Sequence, residues 1–89
     1  MPTLRFTSHL VRHRPAPMIE AEGATVAEVM AHGLAGDDLL RAYVLDEQGR
    51  LRKHVTIYLR GAAIVDRLRL SDPVRPGDEI YVLQALSGG

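Results

Sequence analysis

Two groups of residues in this chain could do chemistry: the four histidines and the C-terminal run Gln84-Ala85-Leu86-Ser87-Gly88-Gly89. His9 and His13 are four apart, a spacing that suits a metal pair on one helix face. They fall instead at the end of a short strand and within the proline-bounded loop that follows it, and no His-Glu-x-x-His pattern is present. His32 lies in a predicted helix and His54 precedes a predicted strand, with no serine or acid motif beside either. No histidine is therefore assigned a catalytic or metal role. The chain has no cysteine, which removes disulfides, thiolate metal sites, iron–sulfur clusters and a cysteine nucleophile. It also lacks both G-x-G-x-x-G and the Walker sequence, so it is not expected to bind ATP or another cofactor by itself.

The C-terminal run is more informative. Two glycines at the last two positions arise by chance in roughly 0.5 % of chains at ordinary glycine usage. Glycines can thread a narrow channel and bring backbone close to a ligand. Ala85 to Gly89 can reach roughly 17 Å beyond the residue that anchors them. They carry the terminal carboxylate, whose typical pKa of about 3.3–3.7 leaves it ionised at neutral pH. A carboxylate is a weak but usable nucleophile. Aligned by a partner with the α-phosphate of ATP, it would yield an acyl-adenylate, an activated acyl group.

Such a tail must be held by a folded body. The 89 residues, 46 % hydrophobic, are enough for one small domain. We expect that domain over residues 1–84 and a flexible tail over 85–89. Eleven basic residues balance eleven acidic ones, which argues against a general grip on nucleic acid or an anionic membrane. No apolar run is long enough to span a bilayer. The start, MPTLRFTSHLVRHRPAP, is too polar for a secretory signal, so a cytoplasmic location is expected.

Thr3 to Ser8 alternates as a half-buried strand, and Met18 to Glu22 alternates again. His9 to Ala16 would be the loop of this first hairpin. Thr25 with Glu28 three residues on forms a capping box, and Val26, Val29, Met30 and Leu34 share one helical face. Gly33 and Gly36 mark the fraying end, and Asp37 to Leu40 could add one further turn. Ala42 to Asp46 and Arg50 to Leu59 read as strands around a Glu47-Gln48-Gly49 turn. After an Arg60-Gly61 turn, Ala62 to Val65 returns along the sheet. Pro76-Gly77-Asp78 signals a turn into Glu79 to Leu83. Both faces of that last strand are apolar, which places it centrally. A central last strand beside the first must run parallel to it, through a helical crossover. The expected fold is α+β, a mixed sheet packed on one main helix, which is the β-grasp (ubiquitin-like) arrangement.

Several segments then resemble the ThiS/MoaD family of ubiquitin-like sulfur carriers. They are Leu4-Arg5-Phe6, Gly23-Ala24-Thr25-Val26-Ala27-Glu28-Val29, His54-Val55-Thr56-Ile57-Tyr58-Leu59 and Val74-Arg75-Pro76-Gly77-Asp78-Glu79-Ile80, leading to Gly88-Gly89. The resemblance implies a carrier and not an enzyme. A separate adenylylating enzyme would use ATP to activate Gly89, a sulfur donor would convert the adenylate to a thiocarboxylate, and a biosynthetic enzyme would accept the sulfur. Gly88, Ser87, Leu86 and Ala85 would thread the partner's active site. Relatives often carry Asn-Gly or Asp-Gly where this chain has Arg60-Gly61. The longer Leu45 to Lys53 hairpin looks more like the branch feeding cysteine biosynthesis than the molybdopterin-synthase small subunit, while thiamine remains a third destination. A single helix covers one side of the sheet, so Tyr58, Tyr81 and Leu83 are expected on an open partner face, rimmed by Arg5 and Arg60. Two other functions fit the same residues: a ubiquitin-like modifier ending as an isopeptide on a lysine, and a non-covalent β-grasp binding module.

Overall fold

The computed structural model describes residues 1–6 and 18–84. Their order is β1 (Thr3–Phe6), β2 (Met18–Glu20), α1 (Val26–Gly33), α2 (Asp38–Val44), β3 (Val55–Leu59), β4 (Ala62–Ala63) and β5 (Glu79–Gln84). The five strands form one sheet in the order β2-β1-β5-β3-β4. β5 is central, parallel to β1 and antiparallel to β3. This is the mixed β-grasp sheet expected from the apolar residues on both faces of the last strand. The expected hairpin loop and the end of its first strand lie outside the described residues.

α1 is built as its cap predicts. The Thr25 hydroxyl oxygen accepts from the Glu28 amide at 3.2 Å, and the Glu28 carboxylate accepts from the Ala24 amide at 2.8 Å. The amides of Val26 and Ala27 donate to the carbonyls of Asp72 (3.0 Å) and Leu70 (2.8 Å). The segment before β5 thus satisfies helix donors that would otherwise lack partners. Val26, Val29, Met30 and Leu34 are all buried. At the helix end, a Cβ on Gly33 would come within 2.4 Å of Leu4 Cδ1, so glycine lets α1 lie close on β1.

The chain departs from expectation between Asp37 and His54. Ala42 to Asp46 is not a strand. Asp38–Val44 is a second helix, capped by the Asp37 carboxylate, which accepts from the Leu40 amide at 3.0 Å. Its buried residues, Leu40 and Val44, are four apart, and that helical spacing outweighs the strand reading drawn from the Glu47-Gln48-Gly49 turn. The expected strand Arg50 to Leu59 shrinks to β3. Before it, Leu45 and Leu51 make one isolated bridge, and Asp46 closes the turn. Its carboxylate accepts from the amides of Arg50 and Gln48, both at 2.9 Å, which holds it below its usual pKa. The sheet is therefore backed by two helices rather than one. No polar side chain among the described residues is buried.

The β3–β4 connection explains the Arg60-Gly61 departure. Both residues have positive φ, 51° and 82°, as a two-residue hairpin turn of the mirror-image type requires. Arginine at such a position costs about 1 kcal/mol of steric strain. An ion pair between Arg60 and Asp78 holds the side chain in place.

Candidate functional site

The alternation of β5 sorts its residues cleanly. Ile80 and Val82 are fully buried toward the helices, whereas Tyr81 is 43 % exposed and Leu83 half-buried on the opposite face. The register extends this second face across the whole sheet. Met18 lies beside Arg5, Arg5 beside Tyr81, Tyr81 beside Tyr58, and Tyr58 beside Ala63. Leu83 and Thr56 form the next pair toward the end of β5. In the other direction lie Thr3, Glu79 and Glu20. Neither described helix covers this face, so an apolar and aromatic stripe stays open to solvent.

Four of the five expected interface residues, Tyr58, Tyr81, Leu83 and Arg5, share this face. Arg5 is not at its rim. It sits inside the stripe between Met18 and Tyr81, because β2 extends the sheet beyond β1. Its guanidinium pairs with Glu79, which also accepts from the Tyr81 hydroxyl at 3.4 Å. That network anchors the polar side of the stripe. Arg60 stands apart, tied to Asp78 just before β5 and so at the end of the sheet away from Gln84. Met18, 62 % exposed, belongs to the face and was missed. Its alternation with Ile19 was the signal that could have found it.

β5 runs on to Gln84, opposite Val55 of β3. The residues expected to do the chemistry, Ala85, Leu86, Ser87, Gly88 and Gly89, lie outside the described residues, as do His9 and His13. Of the other histidines, His32 donates through Nδ1 to the Glu22 carbonyl at 2.6 Å, and His54 is exposed just before β3. Among the described residues no group of three or more His, Cys, Asp or Glu could hold a metal ion. None of their helices is long and apolar enough to cross a membrane.

The model of the ThiS family matches residues 12–89, most of the chain. The chain belongs to the ThiS family. Membership makes it a small ubiquitin-like carrier or modifier and not itself an enzyme. Solved structures agree in fold. The chain is similar to a chain of the BexX/CysO complex of Amycolatopsis orientalis, with 24 % identity, a TM-score of 0.79 and complete coverage of both chains. It is also similar to CysO of Mycobacterium tuberculosis, at 21 % identity and a TM-score of 0.77 over 97 % of this chain and 100 % of that one. A third likeness is to small archaeal modifier protein 1 of Haloferax volcanii, at 17 % identity and 0.74 over 96 % and 97 %. No curated protein matches the chain.

Proposed function

We propose that this ThiS-family member is a sulfur carrier that reacts through the carboxylate of Gly89. The observation that carries the reading is the placement of β5. It is the central strand, it contributes Tyr81 and Leu83 to an open aromatic face, and its last residue, Gln84, stands five residues before Gly89 in the sequence. A partner that grips Tyr81, Tyr58 and Leu83 also orients the strand from which the tail departs. Binding energy remote from the carboxylate is thereby used to position it.

The chemistry has two balanced steps. An oxygen of the Gly89 carboxylate attacks the α-phosphorus of ATP held by an adenylylating enzyme, and pyrophosphate leaves. A sulfur donor then supplies a sulfide equivalent to the acyl carbon. The C–O bond to AMP breaks, and a thiocarboxylate and AMP remain. A biosynthetic enzyme accepts that sulfur, with cysteine biosynthesis favoured by the long Leu45 to Lys53 excursion. ATP belongs to the activating partner, and the chain brings no cofactor of its own. A second reading, conjugation to a protein lysine after the same activation, draws support from the likeness to an archaeal modifier protein.

Incubation with an adenylylating enzyme of the family, ATP and a sulfide source tests the proposal. Intact mass should rise by one oxygen-to-sulfur exchange at Gly89. Deleting Gly89, or appending residues after it, should abolish the change. Equal sulfuration of either altered form would remove Gly89 from the mechanism.

A further inference from the structure

Two loops meet beside the end of β5. Residues 50–54 lead into β3, whose first residue, Val55, is the register partner of Gln84. Residues 65–69 follow β4, which runs back along β3 toward that same end. Arg67 donates to the Arg52 carbonyl at 3.3 Å, joining the two loops. A hollow of about 430 Å³ lies between them, lined in part by Arg50, Arg52, Lys53, His54, Arg67 and Leu68. The two loops hold five of the chain's eleven cationic side chains against Asp66, with Asp46 as a further carboxylate lining the hollow. In a chain of zero net charge this is a marked concentration.

The second loop is pinned in shape. Asp66 accepts from the amides of Leu68 (3.1 Å) and Arg69 (3.0 Å) and from the Ser71 hydroxyl (2.5 Å). Asp72 accepts from the amides of Val65 (2.9 Å) and Asp66 (2.8 Å). Leu70, at φ 55°, is buried, while Val65 and Leu68 are held out at 91 % and 77 % exposure. An ordered loop that presents two aliphatic side chains to water loses little freedom when a partner covers them.

We propose that residues 50–54 and 65–69 form a second docking surface, beside the end of β5, for an acidic and partly apolar surface of the adenylylating enzyme. The inference rests on the carrier reading and names the chemistry of its first partner. A protein surface fits better than a free phosphate compound. The cations are all exposed and spread over two loops, and phosphate would make no use of Val65 and Leu68. Charges at such a rim steer association and make it salt-dependent.

The test uses the full chain and the adenylylating enzyme that sulfurates it. Neither the Lys53 nor the Arg69 side chain has a hydrogen bond or ion pair to another described residue, so Lys53→Glu with Arg69→Glu should leave the fold intact. By calorimetric titration we expect that double variant to bind about tenfold or more weakly, with a flatter dependence on salt than the wild type. Leu68→Ser should weaken binding and keep the salt slope. Unchanged affinity and salt slope in an enzyme that still sulfurates the wild type would overturn this surface and leave the carrier reading standing. A wild-type chain that no adenylylating enzyme of the family sulfurates would overturn both. Saturable binding of ATP or pyrophosphate to residues 50–54 of the free chain would make the cluster a phosphate site and overturn the protein assignment.

Discussion

Ile80→Ala and Tyr81→Ala change adjacent residues of one central strand on opposite faces of the sheet. Ile80 is fully buried against the helices, and Tyr81 is 43 % exposed on the open face. Truncating a fully buried isoleucine removes its transfer energy and leaves a cavity, a loss of about 2–5 kcal/mol. Tyr81 loses mainly its cross-strand pairing with Tyr58, about 0.2–1 kcal/mol. The loss of strand propensity on going to alanine is similar for both and largely cancels in the comparison. The difference should be about 2 kcal/mol. At about 0.05–0.15 kcal/mol per residue, the whole domain is stable by about 4–13 kcal/mol, so Ile80→Ala spends much of its margin. Urea titration followed by circular dichroism measures this directly. With a slope of about 1 kcal/mol per molar, at the low end for a small chain, the two midpoints should lie about 2 M apart. Sulfur loading should show the opposite order, with folded Ile80→Ala loaded normally and Tyr81→Ala loaded poorly. Coincident midpoints would show that the two faces of β5 have been assigned wrongly.

Three further outcomes follow from the same framework. Thr25→Ala should cost about 1 kcal/mol by removing the α1 cap, read as a lower urea midpoint with an unchanged slope. Gly23→Ala should cost about 1–3 kcal/mol by overpacking, because its Cβ would sit 2.6 Å from the backbone nitrogen of Val29, and an undiminished melting temperature would contradict that close approach. The amide of Arg69 and the hydroxyl of Ser71 hold the Asp66 carboxylate below its usual pKa, so it stabilises the fold above the unfolded carboxylate value near 3.9. That contribution is lost as pH falls through the lower, folded value. Asp66→Asn should therefore melt below the wild type at neutral pH, with the gap closing in acid; a constant gap would exclude the linkage.

The parts of the fold legible in the sequence are those where one physical requirement acts alone. Ile80, Tyr81, Val82 and Leu83 are apolar on both faces, and only a central strand accommodates that, so the position of β5 followed. Thr25 and Glu28 mark a helix start by local hydrogen bonding, independent of the rest of the chain. Ala42 to Asp46 reads as a strand because it precedes the Glu47-Gln48-Gly49 turn, while the deciding pair, Leu40 and Val44, is a helical pair cut by the expected boundary. The open face was legible from alternation in β3 and β5. The place of Arg5 inside the stripe was not, since it depends on how far β2 extends the sheet. The meeting of the cationic loops beside the end of β5 was hidden for a similar reason. Residues 50–54 and 65–69 are separated in sequence and meet only through the β3–β4 pairing.

The intact mass of the chain isolated from the cells that make it measures most directly the proposed conversion of Gly89 to a thiocarboxylate. A fraction carrying one sulfur in place of one oxygen is expected, located by fragmentation at Gly89 and lost when a sulfur-accepting enzyme is supplied. A chain whose Gly89 is found only as an unmodified carboxylate, or only joined to lysine side chains of other proteins, would contradict it.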